Sequence, residues 1–584
     1  MRTRRWWVLV VLCLSLLVTG IDQTILNVAL PTLVRDLHAS TSQLQWIVDA
    51  YAVIFAGLLL TAGNLGDRFG ARRLLVAGLA VFGAGSAACA FSGSSPALIA
   101  ARALMGVGGA MLMPATLSII TNVFQEPHER ARAVGIWAGT SGLGVAIGPV
   151  VGGWLLDHYW WGSVFLVNVP VVAIALAGSL WIVPRMAGRR DSRPDILGTL
   201  LSIGGLGTLL WGIIEAPIHG WGATSTLGAL GAGALLLAGF VVWELRCDHP
   251  MLDVRLFTHR AFAGASASLA LALFALSGAL FMLTQYLQFV LGNSALRTGL
   301  LIAPVSIVMF VAAAAAGLLV RRLGARFLVT GGLAVVAAGL LATSALGLGD
   351  AYSQVIWRFL LLGAGIGLVM PPATDAVLGS LPVERAGVGS ATNSTMIQVG
   401  GALGVGVLGS LLATRYAGRV SAVIAGHHVP PAARQAIVSS LGGALMVADR
   451  AGGTLGAALA HVADAAFVSG MSLAMIVGAA TAIAGALVAL VVLPPRNKAQ
   501  ARLLDLHAGE VGRAGEVGKA GEVGHAGEVG RAGEVRHPGE AGAEAAGSGV
   551  GAPGAAGAVR YPGEAGSDAA GSGVGAPGAT VSGR

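Results

Sequence analysis

"GNLGDRFGARRLLVAGL", residues 63–79, returns at 317–333 as "GLLVRRLGARFLVTGGL". Aligned without a gap, the two share Gly63/Gly317, Leu65/Leu319, Arg68/Arg322, Gly70/Gly324, Ala71/Ala325 and Arg72/Arg326 at an offset of 254 residues. A second pair, "ARALMGVGGAMLMPAT" around Arg102 and "WRFLLLGAGIGLVMPPAT" around Arg358, sits at an offset of 256. Two matched features at nearly one offset indicate two homologous halves.

The 584 residues are 55% hydrophobic and 11% charged, with a mean hydropathy of +0.78. A soluble globular chain carries about a quarter charged residues, so this composition is that of an integral membrane protein. A helix needs about 20 apolar residues to cross the hydrocarbon. That length predicts fourteen all-α spans, near 7–30, 45–65, 74–93, 97–121, 133–156, 163–184, 196–216, 225–245, 263–290, 299–320, 327–348, 355–378, 390–412 and 466–493. Residues 1–195 and 247–495 are then two six-helix halves, in the parallel-repeat plan known from carriers, and 196–246 are two inserted linker spans.

An even count puts both termini on one side. The connections "GDRFGARR", "RMAGRRDSRPD" and "RRLGAR" fall on that side, which the positive-inside rule makes the cytoplasm. The net charge of +8 therefore reports topology and not nucleic-acid binding. The stretch 413–465 reads as an external loop with amphipathic helices. From 496 to 584 the chain becomes a Gly/Ala/Glu-rich repeat ("AGEVGRAGEVGK") that cannot bury a core and reads as a disordered tail. The leader "MRTRRWWVLVVLCLSLLVTG" has no clear small-residue cleavage site and reads as the start of the first span. Cys13, Cys89 and Cys247 lack metal-ligand spacing and read as inert thiols.

Charges inside apolar runs carry the functional reading, because intramembrane ionisable residues are functional by default. Arg102 lies several residues into its span, where an arginine costs about 2.5–3.5 kcal/mol on insertion scales. Asp22 in "TGIDQTILNVALP" and Asp49 in "QWIVDAYAV" are acids in the first two spans, with Glu215 and Asp375 toward the ends of two others. Asn27, Tyr51, Asp375, Asn393 and Gln398 are expected at a substrate cavity, with Trp46, Phe281, Tyr286 and Phe289 as further aromatic lining. Gly144, Gly148 and Gly152 recur every four residues, with Pro149 and Gly153 beside them, and form a smooth stripe suited to close helix contact and a pliable pivot. No Walker loop, nucleophile elbow or metal-spaced His cluster is present, so an enzyme and bound-ATP coupling are excluded at this level.

These residues resemble the major facilitator superfamily, and within it the fourteen-span drug:proton antiporter branch. "GIDQTILNVALP" is similar to that branch's first-span motif, "GNLGDRFGARR" to the superfamily's loop motif, "RALMGVGGAMLMP" to its fourth-span motif and "GLGVAIGPVVGGW" to the antiporter motif of the fifth span. The resemblance covers residues 1 to about 495. It implies a proton-coupled exporter of drugs, antibiotics or other amphiphilic molecules in a bacterial plasma membrane, working as a monomer without a cofactor, the proton being the coupling ion. An uptake symporter and a non-transporting membrane sensor are the alternatives. The resemblance also implies a role for Arg102 in proton translocation, alongside Asp22 and Asp49. It further implies a conformational latch at Gly63, Asp67, Arg68, Gly70 and Arg72, with Arg132 as a partner for Asp67. One departure is "WWGSVFLVNVP", where Gly162 and Ser163 stand in place of the branch's basic and bulky residues. The substrate, and whether the proton rides on Asp22 or Asp49, are open at this stage.

Overall fold

The computed structural model describes residues 2–186, 188, 195–247, 250–380 and 386–494, which lie in one compact unit. The tail at 496–584, and the "RRDSRP" run between the sixth and seventh spans, lie outside the described residues.

Fourteen described helices are long and apolar enough to cross a membrane: Arg5–Leu37, Thr41–Phe69, Ala71–Ala90, Ser95–Val123, His128–His158, Ser163–Trp181, Ile196–His219, Thr224–Arg246, Arg260–Val290, Ala295–Leu323, Ala325–Thr343, Tyr352–Leu378, Gly389–Ile424 and Gly453–Val492. They match the predicted fourteen one for one. The start of the first span and the connection after every even-numbered span share one end of the bundle, here called the basic face; the other end is the far face. Helix starts at the far face are fixed by local chemistry. Ser40 and Gln43 form a reciprocal capping box on the second span, and Ser94 and Ser294 accept from the amides of Ala97 and Arg297.

The duplication is physical. Gly70 and Gly324 both have positive φ (94° and 81°), and each amide donates to the carbonyl four residues back, Gly66 and Val320, at 2.9 Å. A side chain is disfavoured at that backbone angle, which is why glycine stands at both turns. Gly78 and Gly108 bring the third and fourth spans together as Gly332 and Gly365 bring the eleventh and twelfth. The offset between halves is therefore 254 along the first member of each pair and 257 along the second. The sequence alignment put Arg358 opposite Arg102 at 256, one residue short. On a helix of 3.6 residues per turn that is a rotation of about 100°. The packing equivalent of Arg102 is the buried Phe359, and Arg358 turns elsewhere.

The 413–465 reading needs correction. The thirteenth helix runs on to Ile424 and the fourteenth begins at Gly453, so only 425–452 joins them, and it holds short helices at Pro431–Ser439 and Leu441–Ala451. The amphipathic helices are there. The loop is shorter because Ala-rich, Pro-free sequence keeps a helix going after its hydropathy has fallen below a span's. This connection covers the far face: Thr41 donates to Ser439 O (2.9 Å), and Tyr416 OH donates to the carbonyls of Ile437 (2.9 Å) and Ser440 (3.2 Å).

The halves meet along two seams, the fifth span on the tenth and the second on the thirteenth. The seventh span, packed on the eighth, also leans on the second and the thirteenth, so the insert backs one of those seams.

Candidate functional site

The first, second and fourth spans converge on a buried ion pair. Arg102 Nη1 donates to Asp22 Oδ2 at 2.6 Å, with the side chains 2% and 0% exposed. Arg102 Nε donates to Ile47 O at 3.0 Å, and the guanidinium lies over the Tyr51 ring at 4.6 Å from its centroid. One side chain thus ties three helices together. Such a pair holds only if its partners stay in place, since removing one partner of a buried pair costs about 3–5 kcal/mol. Asp22 Oδ1 is without a hydrogen-bond partner, so the acid keeps an open acceptor.

Asp49 is different. It is fully buried on the second span and neither carboxylate oxygen has a hydrogen-bond partner. Asp49, Tyr51 and Arg102 share the wall of a cavity of about 90 Å³ with Gln23, Asn27 and Gln398. Residues of the ninth and thirteenth spans close it, so the cavity lies between the halves. A second, apolar cavity of about 60 Å³ also includes Asn27 and is lined by Val145, Pro149, Leu280, Ile302 and Met309. Asn27 therefore stands between a polar and an apolar chamber.

Above these chambers the far face is shut by polar contacts. Gln45 Nε2 donates to the carbonyls of Val405 (3.0 Å) and Gly406 (2.9 Å) and lies 3.3 Å from Ser410 Oγ. Gln288 Nε2 donates to Val28 O at 2.9 Å, and Ser294 Oγ donates to Asp157 Oδ2 at 2.8 Å. The fifth span serves two interfaces at once. A Cβ at Gly144 would come within 2.8 Å of Leu17 O, one at Gly148 would collide with Thr24 Oγ1, and one at Gly152 would reach Ile25 Cγ1 at 2.5 Å. The four-residue stripe is thus the seat of the first span. Gly153 and Pro149 face the tenth span instead: a Cβ at Gly153 would sit 2.5 Å from Ala295 O, and the Pro149 carbonyl abuts Gly299. Motion of the fifth span is thereby coupled both to the helix carrying Asp22 and to the opposite half.

The family model described as Major Facilitator Superfamily matches residues 12–405. The chain belongs to the major facilitator superfamily. It is 36% identical over 495 residues to the tetracenomycin C resistance and export protein of Streptomyces glaucescens, covering 84% of this chain and 92% of that one. It is 37% identical over 491 residues to the multidrug efflux pump LfrA of Mycolicibacterium smegmatis, covering 83% and 96%. Among solved structures, an inward-facing bacterial homologue of the human lysosomal transporter Spinster matches with a TM-score of 0.58 at 16% identity, over 84% of this chain and 98% of that one. That likeness concerns the fold alone. The chain is a multi-pass membrane protein of the multidrug efflux branch of this superfamily.

In this superfamily member the loop motif sits at the basic face. Gly70 packs against Met186 O and Gly188 against Arg68 O, so the chain after the sixth span lies on the motif. Arg72 donates to the carbonyls of Ser179 (3.0 Å) and Leu180, capping the sixth span. Arg68 lies over the Phe69 ring. Gly63 faces open space. Asp67 makes an interaction of its own. Arg132 lies over Trp6 at 5.5 Å, next to an Arg5–Glu129 pair at 3.0 Å.

Of the expected cavity residues, Asn27, Tyr51 and Gln398 line the seam with Asp49. Asp375 is exposed at the basic-face end of the twelfth span, and Asn393, beside Thr374 on that same side, does not border either chamber. Trp46, Phe281, Tyr286 and Phe289 are packing residues: Tyr286 OH donates to Gly347 O (2.7 Å), and Phe289 carries Arg35 at 5.4 Å. Glu215 lies 3.9 Å from His219 at the far-face end of the seventh span. Arg358 pairs with Asp350 (3.4 Å) and holds a far-face loop. Cys89 packs on Met105 Sδ. Sequence reading passed over Gln23, Gln45, Ser277 and Gln288. Their signal was a polar side chain inside an apolar span, weaker than a charge and diluted among many such residues.

Proposed function

We propose that this protein is a proton-driven exporter of amphiphilic small molecules, set in a bacterial plasma membrane with the basic face in the cytoplasm. The observation that carries the reading is Asp49, buried without a partner, beside the Asp22–Arg102 pair on a cavity between the halves. The arginine-rich connections support the orientation, and the far-face contacts of Gln45, Gln288 and Asp157 then close the external side. Relatives named for the export of tetracenomycin C and for multidrug efflux support drug as cargo and outward as direction.

The mechanism follows from the charges. When the far face opens, the amphiphile leaves and Asp49 takes a proton from outside. A neutral acid no longer resists burial, so the seam closes and the basic face opens. The proton leaves to the cytoplasm, and the restored charge with its apolar neighbour chamber receives the next amphiphile. Protonation acts by its different affinity for two rocking conformers. One charge moved through 100 mV is worth about 2.3 kcal/mol, enough for roughly a fifty-fold gradient. No cofactor takes part, and one chain suffices because both seams and the cavity are built within it.

Everted membrane vesicles energised to pump protons inward test this. Wild-type vesicles should accumulate a lipophilic dye or antibiotic and release lumenal protons as they do so, while Asp49→Asn vesicles should not. Accumulation driven in the opposite orientation would make the protein an uptake symporter. Accumulation unaffected by a protonophore would remove proton coupling.

A further inference from the structure

The two inserted spans carry a second buried acid pair that the transport mechanism does not use. Asp195 caps the seventh span and Glu244 lies near the end of the eighth; they are 7% and 3% exposed. Asp195 is supplied with donors: Trp243 Nε1 reaches both of its oxygens at 3.0 Å, and the Gly198 amide donates to Oδ1 at 2.8 Å. Glu244 Oε2 accepts from the Leu252 amide at 3.0 Å, but Oε1 is buried with no partner. That orphan oxygen points at Asp195. Asp195 Oδ2 and Glu244 Oε1 both press on the place where a Cβ of residue 198 would stand, and the two carboxyl groups adjoin.

Two adjoining buried carboxylates cannot both be ionised without a cation between them. Among the described residues, no arginine, lysine or histidine pairs with either acid. Of the described charged groups nearby, Arg246 is exposed, Arg255 is exposed with Nη2 on Leu245 O (3.2 Å), and Asp253 accepts from the Arg255 amide. The second span contributes Thr61, which meets Thr199 at 2.5 Å, while Thr199 donates to Asp195 O at 2.6 Å. Met251 Sδ lies against both threonines, at 3.4 and 3.7 Å.

We propose that Asp195 and Glu244 form a one-proton carboxyl pair, with Glu244 Oε1–H donating to an ionised Asp195 Oδ2. That proton completes every bond in the cluster. It gives the orphan oxygen a role as donor and leaves Asp195, which receives the N–H groups, as the charged acceptor. The position gives the site its meaning. Asp195 and Thr199 stand at the start of the seventh span, Thr61 in the first half, and Met251 and Leu252 on the strap entering the second half. The bound proton clamps these parts together at the basic face, apart from the Asp22/Asp49 cavity. Loss of the proton sets two negative charges against each other and loosens the clamp.

The test uses full-length protein in lipid nanodiscs. Infrared difference spectra between ordinary and heavy water should contain a protonated-carboxyl carbonyl band at neutral pH that Glu244→Gln removes, Asp49 being unchanged in both samples. The wild-type melting temperature should fall by several degrees on alkalinisation, with a flatter profile for Glu244→Gln, whose amide donates permanently. If Glu244→Gln does not fold, Gly198→Ala, which drives the two carboxyls apart, should shift or remove the same band. Spectra identical between wild type and variant, or parallel melting profiles, would overturn the proposal. So would stabilisation of the wild type alone by added sodium or calcium, which would assign the pair to a metal cation.

Discussion

Asp22 and Asp49 sit on adjacent spans, yet only Asp22 is paired with Arg102, at 2.6 Å, while Asp49, on the same cavity as Arg102, has no hydrogen-bond partner. The two acids should respond oppositely to neutralisation. Asp22→Asn strands the Arg102 charge and should cost about 3–5 kcal/mol of stability, read as a large fall in melting temperature, along with transport. Asp49→Asn removes only an unpaired acid. It should leave the melting temperature unchanged or raised, and should abolish proton-coupled efflux. Equal melting temperatures for both variants would contradict the pairing.

The fifth-span stripe makes a steric prediction. Gly148→Ala drives a methyl group into Thr24 and should cost about 1–3 kcal/mol, with efflux falling at least ten-fold because the seat of the Asp22 helix shifts. Gly142→Ala, six residues earlier where a Cβ meets nothing within 4 Å, should leave both unchanged. Thermal stability and drug susceptibility of the two variants check this directly.

Gln45 joins the second and thirteenth spans at the closed face. Gln45→Ala should release that seam and populate the conformer open on the far side. In a background lacking Cys13, Cys89 and Cys247, a cysteine placed at Ala402, on the cavity wall, should then react several-fold faster with an impermeant thiol reagent added from outside. An unchanged rate would mean that Gln45 does not hold the gate.

Arg358 tests the duplication. Because it lies at the protein's far face on Asp350, away from both chambers, Arg358→Ala should leave efflux near wild type whatever it costs in stability. Arg102→Ala should eliminate efflux. If Arg358→Ala were as damaging, the two arginines would share a function that their geometry does not suggest.

Gly70 is the position where backbone and packing agree. With φ at 94° and Met186 O against it, Gly70→Ala should destabilise the protein by about 1–2 kcal/mol, and Gly63→Ala, in open space, should not. Melting temperatures of the purified variants decide it.

Much of this was legible in the sequence because a bilayer enforces a one-dimensional rule. A helix must be apolar for about 20 residues, so span number followed from hydropathy alone, and the repeat of "GARR" as "GARF" exposed the two halves. Charges in apolar runs marked Asp22, Asp49 and Arg102 because their burial is costly wherever they point. The spacing of Gly144, Gly148 and Gly152 announced a smooth helix face, although not which helix it meets.

Where side chains point was decided only by tertiary structure. Sequence offsets paired Arg358 with Arg102, but the helix packing runs one residue further, and a rotation of about 100° sends Arg358 to a loop while Phe359 takes the core. The helical length of 413–465 depended on residues too polar to span and still good at forming helix. The division of labour between Asp22 and Asp49, the closure by Gln45, and the meeting of Asp195 with Glu244 across the insert all arise from contacts between distant segments. Hydropathy fixes how many helices there are. Close packing around glycines fixes which faces they turn to one another, and the charges acquire their roles from that.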